Sequence, residues 1–389
     1  MNTRKNSYLS SFFFVGIANV LFLNMLVAAQ VLEVGPGKMF VLPSIAASFA
    51  QDGDTIEIDA QGFYDGDEVT WEANNLTIRG VNGRPEIKGI GQLKNGKGLW
   101  LVKGNNTVIE NFEFSNAKAR DKNGAGIRQE GTGLEVRFCY FHDNENGILA
   151  GKNLSSEIII QNSEFSSNGH GKGQTHNIYI GEVKSFTLQY SFSHHAIIGH
   201  NVKTRALTNY ILYNAIIDGH DGRSSYAIDF SEAGLSYVLG NVIQQGPETD
   251  NSTMLSFGAE GINNPKSELY IVNNTFVNDR HTGIFIKNYT DKKIFIANNV
   301  FAGKGSVGVK KSEMLNNILP DEDPLFVNRK NYVYLLKRKS PAVDKAQDLT
   351  PFDLPYKLLP EFEYVHKASS KKRIVKNTLD IGAYEYQGD

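Results

Sequence analysis

Residues 174–232 read QTHNIYIGEVKSFTLQYSFSHHAIIGHNVKTRALTNYILYNAIIDGHDGRSSYAIDFSE and contain one short pattern three times. The copies are 176–180 (HNIYI), 200–204 (HNVKT) and 226–230 (YAIDF), each with an aliphatic residue at its centre. Side chains of a β-strand alternate between its two faces, so a central aliphatic residue indicates a strand with one buried face. The recurrence predicts a solenoid that stacks this strand turn upon turn.

The pattern continues on both sides of that stretch at intervals of 21 to 30 residues. We align its central aliphatic residues as Ile127, Ile148, Ile178, Val202, Ile228, Leu255, Ile284 and Val309. A second column falls in the preceding turn and contains Asn111, Asn162, Asn214, Asn241, Asn274 and Asn299, with Phe138 and Tyr190 at that place in two other repeats. We interpret these asparagines as a stack that hydrogen-bonds along the solenoid axis.

Each repeat of about 25 residues contains three short strands and shows no helical periodicity. This organisation predicts an all-β protein, a right-handed parallel β-helix whose turns rise by about 4.8 Å, the spacing of paired strands. An antiparallel β-sandwich would explain the short strands but would not explain two aligned columns.

The two ends of the chain differ from the repeats. Residues 1–29 have the order of a secretory signal peptide: Arg4 and Lys5, then an apolar run, then Ala28 and Ala29. An uncleaved membrane anchor is the alternative, but the run is shorter than the roughly 20 residues that span a bilayer. We expect a mature chain from about Gln30 that is secreted or periplasmic and does not contact a membrane.

We assign residues 30–319 to the β-helix and residues 320–389 to an irregular C-terminal tail packed on it. A short helix predicted at 43–50, with proline and serine at its start, would cap the open N-terminal end.

Composition excludes some functions. The net charge of −2 argues against a nucleic-acid-binding protein, because phosphate binding favours a basic face. Cys139 is the single cysteine, so no internal disulfide is possible, and we interpret it as a small buried core residue. We expect a monomer that is stabilised by a long core.

Strand alternation then defines the outward face. The residues after the aligned aliphatic positions are Arg128, Leu149, Tyr179, Lys203, Asp229, Ser256 and Phe285. The residues before them are Gly126, Gly147, Asn177, Asn201, Ala227, Met254 and Gly283. If both sets point outward, Tyr179, Lys203 and Asp229 form one row on successive turns. The glycines of the earlier turns would form the floor of a groove beside that row.

Further polar side chains surround the row. His176 and His200 occupy equivalent positions and should stack, while Arg205 and Glu232 follow the second and third strands. Such a row of ionisable side chains is typical of a solvent-exposed functional surface. The alternative is that Lys203 and Asp229 form an exposed ion pair, which contributes little to stability.

A metal site is a second alternative. His176, His200 and Asp229 could supply three ligands for zinc, but the nearby positive charges of Lys203 and Arg205 oppose a cation. Calcium would need several oxygen ligands, and residues 196–200 (AIIGH) supply no carboxylate. We therefore expect no cofactor.

An extended face with cationic and hydrogen-bonding groups suits an acidic polysaccharide that contains uronic acid. The repeats, and the tail segments at 323–326, 340–344 and 380–385, resemble secreted β-helix proteins of the pectate-lyase-like superfamily over roughly residues 31–385. Lys203, in a strand followed by a strand rich in tyrosine and asparagine, resembles more weakly the alginate lyase and chondroitinase B family. These enzymes remove the proton α to a uronate carboxylate and expel the 4-linked sugar.

This resemblance implies catalytic roles for Lys203, His200, Tyr179 and Arg205. Lys203 or His200 would be the general base, Tyr179 the general acid, and Arg205 would stabilise the enolate-like charge with help from Asn177 or Asn201. His176, Asp229, Arg128 and Glu232 complete the predicted substrate-binding set with the two asparagines. The sequence departs from the family where Asp229 replaces an arginine and where calcium ligands are missing.

The most direct prediction is a lyase that cleaves a uronate-containing polysaccharide by β-elimination. A uronate C5-epimerase would use the same groups. A glycoside hydrolase would need two carboxylates, such as Asp229 with Asp221 or Glu232. A carbohydrate-binding β-helix without catalysis is the fourth possibility.

Overall fold

The computed structural model describes residue 1 and residues 29–309, 312–353 and 356–388. Residues 2–28 of the predicted signal peptide lie outside the described residues. Across the described ranges, no helix combines the length and the apolar character needed to cross a bilayer.

The chain forms three parallel sheets, and each complete turn contributes one strand to each sheet in the order sheet 1, sheet 2, sheet 3. The strands of sheet 1 are Val31–Val34, Thr55–Asp59, Thr77–Val81, Thr107–Glu110, Leu134–Arg137, Asn153–Gln161, Val183–Gln189, Thr208–Leu212, Leu235–Leu239, Glu268–Val272, Ile294–Ala297 and Ser312–Leu315. Those of sheet 2 are Glu86–Lys88, Glu113–Ser115, Tyr140–His142, Glu164–Ser166, Phe192–His194, Ala215–Ile217, Val242–Gln245, Thr275–Asn278 and Val300–Gly303. Those of sheet 3 are Val69–Trp71, Gly98–Val102, Ala125–Gln129, Asn146–Ala150, Ile178–Ile180, Val202–Thr204, Ile228–Phe230, Thr253–Phe257 and Ile284–Asn288.

These sheets enclose one continuous apolar core over about 10 turns, which confirms the predicted right-handed parallel β-helix. Like side chains stack along the axis inside it. The rings of Phe114, Phe141 and Phe165 lie nearly parallel with centroids 4.9 and 4.8 Å apart. Cys139 is buried as predicted, and burial raises the pKa of its thiol to about 12.

The predicted register of sheet 3 is confirmed from Ile127 to Leu255, since each aligned residue pairs with the next. The last two positions are wrong. Leu255 pairs with Ile286 rather than Ile284, and Val309 lies outside the strands. Isoleucine occupies both 284 and 286, so the pattern alone fits either register. Lys287, not Phe285, therefore follows Ser256 in the outward row.

The predicted asparagine column combines two neighbouring columns. Asn214, Asn241, Asn274 and Asn299 do form the buried axial ladder, which continues to Asn317, and each side-chain amide donates to the next at 2.9 to 3.0 Å. Asn111 and Asn162 belong to the preceding position, where the backbone has a positive φ in every turn. The residues at that left-handed position are Asn111, Phe138, Asn162, Tyr190, Tyr213, Gly240, Asn273, Asn298 and Asn316.

Asparagines at this left-handed position hold the C-terminal tail. Asn162, Asn273 and Asn298 donate through Nδ2 to the tail carbonyls of Ala368, Asp380 and Gln347 at 2.9 to 3.1 Å. The tail contains two antiparallel hairpins, Phe326–Asn328 with Val333–Leu336 and Phe362–Val365 with Ser369–Lys372, and a 3₁₀ turn at Arg329–Asn331.

One further contact joins the tail to sheet 2. Lys367 Nζ lies 2.7 Å from the Glu164 carboxylate. Side-chain contacts therefore hold the tail along the outside of the helix.

At the other end, the helix Pro43–Ala47 covers the first turn and ends three residues earlier than predicted. Leu42 supplies no side-chain cap, and Asp67 instead accepts from the Ser44 amide at 2.9 Å.

Candidate active site

The predicted row exists on sheet 3. Tyr179 pairs with Lys203 and Lys203 pairs with Asp229 on three successive strands. Because all three side chains leave the same face of a parallel sheet, they lie side by side about 4.8 Å apart in the strand-pairing direction. The strands hold this order because Ile178, Val202 and Ile228 point into the core.

Lys203 links a buried carboxylate, that of Asp229, to a partly exposed one, that of Glu260. Its side chain is only 10% exposed, and its Nζ lies 2.6 Å from Glu260 Oε1 and 3.8 Å from Asp229 Oδ2. Asp229 is 2% exposed and accepts from the Ser231 hydroxyl at 2.6 Å. Burial raises the pKa of Asp229, although Ser231 and Lys203 act in the opposite direction. Glu260 is more exposed, so the two carboxylates differ sharply in environment.

Arg205 lies one outward step along the strand and organises the exposed part of the site. Its guanidinium donates to the Tyr179 hydroxyl oxygen and to Glu260 Oε2, the latter through Nε at 3.0 Å. Its Nε also lies 3.2 Å from Glu232 Oε1. Burial raises the pKa of Glu260, but hydrogen bonds from Lys203 and Arg205 outweigh it and leave that pKa below its usual value.

The two histidines stack as predicted, with ring centroids 4.6 Å apart, but they do not face solvent. His176 and His200 are 2% and 8% exposed, and each Nδ1 accepts a backbone N–H from the next turn. Both rings therefore carry their proton on Nε2 when neutral. Burial lowers the pKa of His176 well below its ordinary value and that of His200 to about 3.

His200 consequently does not fit its predicted role as general base. Its Nδ1 lone pair is already used, and its Nε2 lies 3.6 Å from the carboxylate of Asp229. The stacked histidines support the row from behind.

Asn177 and Asn201 do not face the groove either, which corrects their predicted contact with substrate. They are 0% and 1% exposed and belong to a second buried ladder. In it Asn177 Nδ2 donates to Asn201 Oδ1 at 3.0 Å, and Asn201 Nδ2 donates to Asp218 Oδ1 at 2.9 Å. Strand alternation fails at these positions because both strands begin one residue later, so 177 and 201 lie at the inner corner of the turn.

The glycines of the earlier turns lie at the same corner and form no groove floor. A side chain at Gly147 would come within 2.9 Å of the Phe165 ring. The open floor lies further along the strands, where Gly151 and Gly181 border a depression of about 270 Å³. Arg128, Tyr179 and Arg205 line it together with Lys152. Three cationic side chains and Glu182 thus border this depression.

Glu260 is the site residue that the sequence reasoning missed. It follows the strand Thr253–Phe257 by three residues, just as Glu232 follows Ile228–Phe230 by two. The two glutamates are one residue out of register, because Phe230 pairs with Phe257, so a strand alignment does not bring Glu260 into the row.

Metal coordination has little support in the contacts of these groups. His176 Nδ1 is 2.9 Å from the His200 amide, so that nitrogen is not free for a ligand. Within the described part of the chain, no group of three or more His, Cys, Asp or Glu side chains is arranged to hold a metal ion.

Comparison with known proteins identifies the fold of the chain but does not identify its reaction. The sequence matches no protein-family model and no curated protein. The structure is similar to the crystal structure of pectate lyase Pel9A, with a TM-score of 0.62 and 12% identity over 92% of this chain and 96% of that chain. It also matches the crystal structure of an alginate lyase from Paenibacillus sp. str. FPU-7, with a TM-score of 0.46 and 12% identity over 74% of this chain and 97% of that chain. The chain therefore has the pectate-lyase-like parallel β-helix fold.

Proposed function

We propose that this protein is a lyase that cleaves a uronate-containing polysaccharide by β-elimination at Tyr179, Lys203 and Arg205. One observation carries the proposal: Lys203 and Arg205 together hold a single carboxylate, that of Glu260, directly beside the Tyr179 hydroxyl. The Arg205 guanidinium can neutralise the carboxylate of a uronate residue in place of Glu260, which leaves Lys203 free to act as the base. Neutralisation is the first requirement for removing the neighbouring proton.

The remaining groups fit the steps of elimination. Arg205 donates to the Tyr179 oxygen, so the phenolic proton is free to point elsewhere and can protonate the leaving O4. Lys203 Nζ can accept the proton from C5 once it has given up its ammonium proton and no longer donates to Glu260. The C5–H and C4–O bonds break, a C4–C5 double bond forms, and the leaving sugar gains the proton of Tyr179.

The groove supports an anionic polymer as the partner. Arg128 lines the depression beside Tyr179 and Arg205, while Lys152 is paired there with Glu182, which lines it too. Cationic side chains spaced along a groove attract a chain of negative charges and raise its local concentration. An acidic polysaccharide outside the cytoplasm would suit the secreted or periplasmic location expected from residues 1–29.

Glycoside hydrolysis is the second candidate, and one observation favours it. Asp229 and Glu260 both approach Lys203 Nζ, and their surroundings shift their pKa values in opposite directions. Such a pair is the usual arrangement of an acid and a base or nucleophile. Asp229 is only 2% exposed and lies beneath the Lys203 side chain, so it cannot contact a sugar directly in this arrangement. We therefore favour elimination over hydrolysis.

The proposal is tested by incubating the protein with polymers of galacturonate, of mannuronate and guluronate, and of glucuronate. Elimination raises ultraviolet absorbance because the product is unsaturated. New reducing ends without that absorbance indicate hydrolysis, and changed C5 proton signals in an intact polymer indicate epimerisation. Binding without any of these changes refutes catalysis.

A further inference from the structure

Glu260 lies on a segment whose backbone is held by hydrogen bonds, while its carboxylate contacts, among the described residues, only the side chains of Lys203 and Arg205. The Gly258 amide donates to the Phe230 carbonyl and the Glu260 amide to the Ser231 carbonyl, both at 2.8 Å. Asn264 Nδ2 donates to the carbonyls of Ala206 and Glu232 at 3.3 and 3.2 Å. The segment is thus held at both ends, and movement of the carboxylate requires only rotation of the Glu260 side chain.

The Glu260 carboxylate lies between the two cationic side chains of the site, Lys203 and Arg205. It accepts from Lys203 Nζ and from two nitrogens of Arg205, and its side chain is 39% exposed to solvent. Glu232 offers a comparison within the same site, because it contacts the same guanidinium but is 12% exposed and does not reach Lys203 in any described contact. Glu260 is therefore the outer, displaceable carboxylate and Glu232 the inner, fixed one.

We propose that Glu260 is an internal competitor for the substrate: its carboxylate occupies the Lys203–Arg205 pair at rest, and a uronate carboxylate must displace it before the reaction. This inference rests on the proposed function for the identity of the ligand. It goes further in assigning Glu260 a regulatory role.

The arrangement couples substrate binding to activation of the base. While Glu260 accepts from Lys203, that nitrogen is a donor and cannot take a proton from C5. A uronate carboxylate that takes the place of Glu260 at Arg205 releases Lys203 from this contact, and Glu260 can rotate into solvent because its side chain is already partly exposed. A neutral sugar offers no carboxylate in exchange, so the competitor also selects for acidic substrates.

Substitution of Glu260→Gln tests this role, with Glu232→Gln as the matched control. Both variants lose one negative charge beside Arg205, but only Glu260→Gln frees Lys203 as well. The variant should fold, because Lys203 keeps Asp229 and Arg205 keeps Glu232 as partners. Thermal unfolding of both variants checks this before binding is measured.

Binding is measured by calorimetry with hexamers of galacturonate, of mannuronate and of guluronate, and with a neutral glucose hexamer. We expect the Glu260→Gln variant to bind at least one acidic hexamer about tenfold more tightly than the unmodified protein does. Glu232→Gln should not show this gain, and the neutral hexamer should not distinguish the proteins. Equal or weaker acidic binding by Glu260→Gln, or no acidic binding at all, overturns the proposal.

Product absorbance separates this result from the proposed function. Tighter acidic binding without unsaturated product would support the competitor and reject the lyase. Unsaturated product from the unmodified protein, with no gain in affinity for Glu260→Gln, would support the lyase and reject the competitor.

Discussion

Asn201 gives the sharpest test of whether the buried ladder behind the site is structural. It lies two residues before Lys203, yet its amide is 1% exposed and bonded within the protein on both sides. Its Nδ2 donates to Asp218 Oδ1 at 2.9 Å, and its Oδ1 accepts from Asn177 at 3.0 Å. We expect Asn201→Ala to destabilise the fold without removing a contact to substrate.

The magnitude follows from what remains after the substitution. Asp218 keeps two donors, the amide and hydroxyl of Ser224, and loses a hydrogen bond to a buried carboxylate that is worth about 1.5 to 3 kcal/mol. Asn177 Nδ2 keeps the hydroxyl of Ser193 and the carbonyl of His194 as acceptors, so little is lost there. The cavity left by the amide adds about 1 kcal/mol. The expected loss of unfolding free energy is about 3 kcal/mol, or a fall in Tm of about 4 °C for a chain of this length.

The loss should depend on pH. Burial raises the pKa of Asp218, while Ser224 and Asn201 lower it, so removing Asn201 raises that pKa further. A buried carboxylate with a raised pKa destabilises the fold only where it is ionised. The difference between the two proteins should therefore be largest near neutral pH and shrink as the pH falls through the raised pKa of Asp218.

Thermal unfolding followed by circular dichroism measures the stability, and product formation per folded molecule measures the site. Asn168→Ala is the matched control, because Asn168 makes the same kind of ladder contacts one turn earlier and further from Lys203. Both variants should lose stability and keep kcat/KM within about threefold. An unchanged Tm for Asn201→Ala, or a hundredfold loss of kcat/KM at full folding that Asn168→Ala does not share, would refute the structural role.

Three further predictions concern the site and the tail. Tyr179→Phe keeps the ring contacts with Arg205 and His176 but removes the proposed acid, so product formation should fall by about 10² to 10⁴ with Tm unchanged; full activity would contradict the assignment. Arg205→Lys keeps a charge but loses the forked contact, and kcat/KM should fall at least about tenfold, in contrast to the small change expected of an ordinary surface arginine. Lys367→Met removes the ion pair with Glu164. Burial raises the pKa of Glu164, but His194 and Lys367 hold it below its ordinary 4.5, so the pair stabilises the fold above that pH and is lost as the pH falls through the lowered pKa. The Tm of Lys367→Met should thus be lower by an amount worth about 1 kcal/mol at pH 7 and should converge with the parent in acid, and a constant difference across that range would show that the contact is not ionic.

The fold was readable from the sequence because turns stack in register. Ile178, Val202 and Ile228 each repeat the same inward position, and a period that long has few other structural explanations. The prediction failed where two residues satisfied the pattern equally, as at Ile284 and Ile286, and where neighbouring columns contained the same residue type. Asn162 and Asn214 are both turn asparagines, but only the backbone shows that one has a positive φ and the other points inward.

The sequence predicted the positions of site side chains correctly only within the strands. Tyr179 and Lys203 were placed correctly because alternation is strict inside a strand. Alternation does not extend to the turn residues just before a strand. Asn177 and His200 were therefore predicted to face the groove, although both are buried. Glu260 was missed because a turn residue has no periodic position, and only its contacts with Lys203 and Arg205 reveal its place.

The row on sheet 3 also bears on how such a protein can evolve. Its members come from separate turns, and each outward side chain is flanked within its own strand by inward residues that pack the core. A mutation at Tyr179 or Lys203 therefore changes the chemistry of the face while Ile178 and Val202 keep their pairing. Selection can therefore change the surface residues of one turn at a time while the packing of the core stays the same. A chain that shares only 12% identity with pectate lyase Pel9A can in this way preserve the architecture across 92% of its length.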